Sequence, residues 1–180
     1  MSGKSLKKAI DTKNHYKLRL ILLTSNINPS YDNDYCLNQA CYNGDIESVN
    51  LLISYSNVNV KKENNLPFIL AIQSGNIDLV MMLLKYVDPS IPFYNPLYEA
   101  AKHSLEIVKI LLDHPALLEI YNVKFRNGIP RGPILGIIRA TTSELIRSYI
   151  INKVLMKYYY FKNCVKNILP SEIINLILEQ

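Results

Sequence analysis

The chain has no tryptophan, only six glycines and seven alanines, and three cysteines in 180 residues. Three cysteines (Cys36, Cys41 and Cys164) are odd in number and widely spaced. They exclude a disulfide-stapled scaffold and suit a reducing compartment. Long apolar runs are also missing: none reaches the roughly 18 to 20 residues that cross a bilayer. The opening MSGKSLKKAIDTKNHYK has no apolar core of the kind a secretory leader needs. A soluble, cytoplasmic chain with no membrane partner is expected.

Catalytic and metal-binding patterns are missing too. Gly3-Lys4-Ser5 matches the end of a phosphate-binding loop, but the upstream glycine and the preceding strand are lacking. His15, His103 and His114 are scattered, and the last two stand eleven residues apart rather than one helical turn. Cys36 and Cys41 suit buried packing. Asp45, Glu47, Asp78 and Glu106 lie near expected helix starts, where they favour the helix dipole. No residues carry an enzyme reading, and no metal or cofactor is expected.

Other residues are in excess. There are 19 Asn, 23 Ile, 15 Lys and 13 Tyr, all with A/T-rich codons, so an A/T-rich genome accounts for the bias. Hydrophobic residues make up 49%, enough for a packed core. The net charge of +5 is unevenly placed: residues 1–120 carry −1, 121–170 carry +8 and 171–180 carry −2.

The main pattern is an internal repeat. At an offset of 31, Ala40 meets Ala71, Gly44 meets Gly75, Ile46 meets Ile77, Val49 meets Val80 and Leu52 meets Leu83. One step back, Ala9 meets Ala40, Leu18 meets Val49, Ile21 meets Leu52, and Asn28 meets Asn59. One step forward, Ala71 meets Ala100 at 29, and Val80 and Leu83 meet Val108 and Leu111 at 28, with one residue lost between His103 and Ser104. Each unit reads as turn, short helix, tight turn, second helix. Asn95-Pro96 suits a helix start. Gly44 and Gly75 stand where the chain reverses and positive φ is needed. Ile77, Val80, Leu83 and Leu84 form one apolar helical face. Two short helices cannot bury such a face alone, so stacked copies are expected.

Pro96-Leu97-Tyr98-Glu99-Ala100-Ala101, followed by Leu105-Glu106-Ile107-Val108-Lys109-Ile110-Leu111-Leu112, resembles an ankyrin repeat. That family's pattern runs Thr-Pro-Leu-His-x-Ala-Ala, then Gly and His, then an Ile-Val-x-x-Leu-Leu helix. The units near 35–58, 66–87 and 95–114 follow this order. The sequence departs at the Thr position (Leu66, Asn95), lacks Pro at Cys36, and puts Asn33, Asn64 and Phe93 in the turn-glycine slot. The resemblance implies an all-α ankyrin-repeat solenoid of about four helix-pair units with an irregular helical C-terminal segment. Its divisions would be a divergent N-terminal capping repeat at 1–30, three repeats at 31–120, a degenerate fourth at 121–152, and a C-terminal segment at 153–180.

The resemblance also implies protein–protein binding, through turn tips and the exposed face of each first helix. The matching helix positions are Tyr42, Asn43, Gln73, Ser74, Lys102 and His103. The matching turn positions are Lys62, Glu63, Asn65 and Tyr94. The partner's identity is not written in the sequence.

Two further segments bear on partners. In KVLMKYYYFKNCVK (153–166), Lys153, Lys157, Lys162 and Lys166 alternate with Tyr158, Tyr159, Tyr160 and Phe161. Such a mixture suits single-stranded nucleic acid. Yet Ile146, Ile150, Val154 and Tyr158 recur every four residues, so an amphipathic helix explains the aromatics and makes nucleic-acid binding through 121–170 the weaker reading. The last segment, Leu169-Pro170-Ser171-Glu172-Ile173-Ile174-Asn175-Leu176-Ile177-Leu178, resembles the first line of an F-box. A capping helix uses the same residues. Ankyrin repeats followed by a truncated F-box-like end resemble the ankyrin proteins of poxviruses. That resemblance implies docking to a Skp-type ubiquitin-ligase adaptor through Leu169, Pro170, Glu172, Ile173 and Ile177 in the host cytoplasm.

Overall fold

A computed structural model describes residues 3–55, 58–90, 95–120, 124–126, 129–131 and 133–153. In order these form α1 (Gly3–Asp11), α2 (His15–Thr24), α3 (Tyr31–Tyr42), α4 (Ile46–Ile53), α5 (Lys62–Ser74), α6 (Ile77–Leu83), α7 (Pro96–His103), α8 (Leu105–Asp113), α9 (Pro115–Ile120), β1 (Lys124–Arg126), β2 (Ile129–Arg131), α10 (Pro133–Ala140) and α11 (Glu144–Ile151). The expected helix pairs are present. The chain divides into two compact units, Met1–Pro96 and Leu97–Gln180.

In the first unit, α1 packs on α3 and α3 on α5, while α2 packs on α4. Ala9, Ala40 and Ala71, one per first helix, are at most 1% exposed. A residue this small lets neighbouring helix backbones approach, and Leu37, Phe68 and Ile72 fill the space around it. The second helices contribute Leu18, Ile21, Val49, Leu52, Leu79, Val80 and Leu83, all buried. Leu18, Val49 and Val80 share one repeat position, and Ile21, Leu52 and Leu83 another.

The turns repeat as faithfully as the core. Lys13, Gly44 and Gly75, each 31 residues on from the last, have φ of 49°, 65° and 73°. The next residue always caps the second helix. Asn14, Asp45 and Asn76 accept from the backbone N–H three residues on, at 2.9, 3.2 and 3.1 Å. Asn76 also donates its Nδ2 to the carbonyl of Gly44, at 2.9 Å, tying one turn to the preceding one. A third periodic device lies after the second helices. The side chains of Asn28, Asn59 and Asp88 accept from the backbone N–H two residues later, each at 2.9 Å, in successive Asx-turns.

Gly44 and Gly75 occupy the same backbone conformation but differ in surroundings. A Cβ on Gly44 would lie 3.3 Å from the Ser74 hydroxyl and from the Asn76 Cβ, whereas one on Gly75 meets nothing within 4 Å. Left-handed backbone costs an L-residue about 1–2 kcal/mol. Gly75→Ala should therefore lose about that much stability, and Gly44→Ala more, because crowding adds to strain. Urea unfolding of the two variants checks the order.

One expectation needs correction. Left-handed backbone falls not on Asn33 and Asn64 but on their neighbours, Asp32 and Asp34 (both φ 58°) and Asn65 (φ 66°). Asp34 is buried within α3 and Asn65 within α5. Asn65 donates Nδ2 to the carbonyl of Asp88 at 2.9 Å, which fixes the loop after α6. It is an internal brace rather than a turn-tip contact. Farther along, β1 and β2 pair antiparallel, with Lys124 opposite Arg131, Phe125 opposite Pro130 and Arg126 opposite Ile129. The intervening sequence is Asn127-Gly128, the dipeptide that favours two-residue hairpin connections.

In the second unit, α7 and α8 are joined through Ser104 alone, the residue lost at this turn leaving no glycine. Ser104 still caps α8, accepting from Ile107 N–H at 3.3 Å. Helix α8 packs on α9 and α11, and α10 on α11. Ile107, Val108, Leu111, Leu112, Ile146, Ile150 and Ile151 are buried there. Residues 154–180 lie outside the described residues, and so does the entire F-box-like motif with Leu169, Pro170, Glu172, Ile173 and Ile177.

Candidate functional site

The surface begins where each first helix ends. In the first unit α3 buries Ala40 and Cys41, so the next residue, Tyr42, points outward and is 56% exposed. In α5, Ala71 and Ile72 are buried and Gln73 is exposed. Tyr42 and Gln73 are repeat equivalents.

Their neighbours are more committed to the fold. Asn43 accepts from Gln39 Nε2 at 3.0 Å through its side chain, and its carbonyl accepts from Lys13 Nζ at 2.9 Å. Ser74 donates to the Ala71 carbonyl at 2.7 Å and accepts from Asn76 N–H at 3.2 Å. Lys62 and Glu63 lie in the first turn of α5 rather than in a loop, and their side chains are outside the described residues, as is Tyr94.

In the second unit the same helix end presents Lys102 and His103, both exposed. Lys102 Nζ donates to Glu99 Oε1 at 2.9 Å and lies 4.1 Å from the centre of the Tyr98 ring. The bond to Glu99 raises the ammonium above its ordinary pKa, outweighing partial desolvation. Cation, aromatic ring and carboxylate are thereby held together on one exposed face. Elsewhere in this unit Lys153 donates to Asp113 at 2.6 Å, so the first lysine of the basic segment is already paired.

One cluster escaped the sequence reading. His15, at the start of α2, places Nε2 2.9 Å from both oxygens of Asp45 and Nδ1 3.0 Å from Glu47. Asp45 also accepts from the Ser48 hydroxyl at 2.6 Å. Serine, carboxylate and histidine are all present, but the carboxylate stands between the other two. No His–Ser hydrogen bond exists to activate the hydroxyl, so the set braces one repeat against the next. The signal was available: His15 follows the cap Asn14 directly, and Glu47 stands two residues after the cap Asp45.

The two described thiols are inert. Burial pushes Cys36 up to about 11 and Cys41 higher still. Among the described residues no group of three or more His, Cys, Asp or Glu side chains is placed to hold a metal ion. No helix among them is long and apolar enough to cross a membrane.

A family model described as ankyrin repeats (3 copies) matches the chain over residues 6–93 and again over 37–124. No curated protein and no solved structure matches it.

Proposed function

The chain belongs to the ankyrin-repeat family, a family of protein–protein interaction modules, and from that membership we propose that it binds a partner protein through the exposed ends of its first helices. The supporting observation is a contrast at one repeat position. Ala40, Ala71 and Ala100 are buried, whereas two residues further on stand Tyr42, Gln73 and Lys102, all exposed and all different. A scaffold held constant inside and varied outside is what selective binding requires. Asn43 and Ser74 in the first unit and His103 in the second stand next to these positions in the sequence, and the turn positions Lys62, Glu63 and Tyr94 belong to the same proposal. Asn65 is excluded by its burial. In this reading residues 1–30 cap the array, 31–120 form its three central repeats, and 121–152 make a degenerate fourth. The protein acts without catalysis.

A second reading rests on the sequence Leu169-Pro170-Ser171-Glu172-Ile173 after the repeats. In it the C-terminal segment docks a Skp-type adaptor and presents the repeat-bound target to a cullin-type ubiquitin ligase. The A/T-rich composition and the order of the two motifs support a viral protein working in host cytoplasm.

One affinity purification with mass spectrometry tests both readings. Tyr42→Ala with Lys102→Gln should remove the repeat-bound partner and change the melting temperature little, since both side chains are exposed and glutamine puts no like charge beside Glu99. Leu169→Ala with Pro170→Ala should remove only the adaptor. If the unmodified chain brings down no adaptor, the second reading fails. If the Tyr42/Lys102 variant keeps every partner, the first one does.

A further inference from the structure

Helix α2 carries apolar residues on two opposite faces. Leu18, Ile21 and Leu22 are buried, while Tyr16, Leu20 and Leu23 are 78%, 40% and 74% exposed. At the helical period the exposed three fall within about 60° of one another, on the side away from the buried three. They form a continuous apolar stripe at i, i+4 and i+7.

The repeat itself shows that a further repeat in front would leave the two ends of the stripe uncovered. Positions 16 and 23 correspond to Glu47 and Ser54 in the next unit and to Asp78 and Lys85 in the one after. All four are exposed, even though α4 has α2 packed beside it. The two ends of the stripe thus face solvent in an interior repeat, where they are polar, while its middle, Leu20, corresponds to the half-buried Leu51 and Met82. Only in the first repeat are the two ends Tyr and Leu.

Charge selects among the remaining occupants. Lys17 and Arg19 are exposed on either side of the stripe, and the preceding helix and turn add exposed Lys4, Lys8 and Lys13 against one exposed acid, Asp11. The carboxylate at the equivalent place on α4, Glu47, is engaged by His15 at 3.0 Å. Two copies of this face would bring like charges together, which disfavours self-association. We propose that the outer face of α2 is a second docking surface, distinct from the first-helix ends, for an acidic amphipathic helix of a partner protein. The partner's apolar stripe lies on Tyr16, Leu20 and Leu23, and its flanking carboxylates meet Lys17 and Arg19.

The test is fluorescence anisotropy on the full chain. The probe is a labelled helical peptide of about 20 residues, with leucines along one face and glutamates flanking them. Its control carries lysines in place of the glutamates. The acidic peptide should bind at least about tenfold more tightly than the control. Tyr16→Ser with Leu23→Ser should weaken binding at least about tenfold at an unchanged melting temperature. Lys17→Glu with Arg19→Glu, which leaves the apolar stripe intact, should reverse the preference between the peptides. Equal binding of both peptides, or indifference to these substitutions, overturns the proposal. So does sedimentation showing a dimer that Tyr16→Ser with Leu23→Ser dissolves. Tighter binding to vesicles of about 3:1 phosphatidylcholine to phosphatidylserine than to the peptide overturns it in favour of a membrane surface.

Discussion

Leu83→Ala will lower the free energy of unfolding by about 2–5 kcal/mol. Leu83 ends α6, is fully buried, and is the third member of the series Ile21, Leu52, Leu83. Its truncation removes three buried carbons and leaves a cavity that the packing of α6 on α5 cannot close without moving a helix. Domains of this size are stable by only about 5–15 kcal/mol, so one such change consumes a large part of the margin. Repeat arrays add a further consequence. Their stability is roughly a sum of unit and neighbour-interface terms, so weakening an interior unit also uncouples the units beside it. The variant should unfold in urea with a lower midpoint and a broader transition. Met81→Ala, two residues away and 51% exposed, is the control and should stay within about 0.5 kcal/mol of the parent. A Leu83→Ala chain as stable as the control would show that the apolar repeat positions do not form the core.

The apolar register was legible because every unit must bury the same face. Val49, Leu52, Val80, Leu83, Val108 and Leu111 stand at matched positions, and all six are fully buried. The tight turns were legible where glycine marks them, at 44 and 75, but not at Lys13, which adopts φ 49° with no compositional sign. Asn28 with Asn59 was visible as a coincidence of identity, and its meaning as an Asx-turn needed the hydrogen bond. The pairing of β1 with β2 is marked in the sequence only by Asn127-Gly128, since two three-residue strands carry too little periodicity to show.

The candidate surface was less legible than the core, since exposure constrains residue type so weakly. Tyr42, Gln73 and Lys102, reached by counting from the buried alanines, are exposed. Asn65 does not reach the surface, because its amide turns inward to the carbonyl of Asp88. The brace between His15 and Asp45 joins residues 30 apart and depends on the stacking of two turns. Pairings of that kind follow from tertiary geometry, which no single unit's sequence contains.

Asp45→Ala should cost about 2–3 kcal/mol, more than an ordinary helix cap. The carboxylate accepts from Ser48 N–H at 3.2 Å, from the Ser48 hydroxyl at 2.6 Å and from His15 at 2.9 Å. Alanine would leave the buried Ser48 side chain and one face of His15 without their acceptor. Burial alone would raise the pKa of Asp45, but the bonds from Ser48 and His15 outweigh it and hold the group below the usual carboxylate range. A depressed folded-state pKa means stability that is fully present above the unfolded value of about 3.9 and lost as pH falls through the folded one. The parent should therefore weaken in acid below about pH 4 partly through this group. Asp45→Asn separates the two contributions. Asparagine already caps the equivalent helices at positions 14 and 76, so the cap survives while the charge does not. Asp45→Asn should be less destabilised than Asp45→Ala at neutral pH, and its difference from the parent should shrink as the parent's carboxylate protonates. Urea midpoints measured from about pH 3 to pH 7 read this directly. A difference between Asp45→Asn and the parent that stays constant across that range would show that Asp45 braces the repeats through shape and neutral hydrogen bonds, with no contribution from its charge.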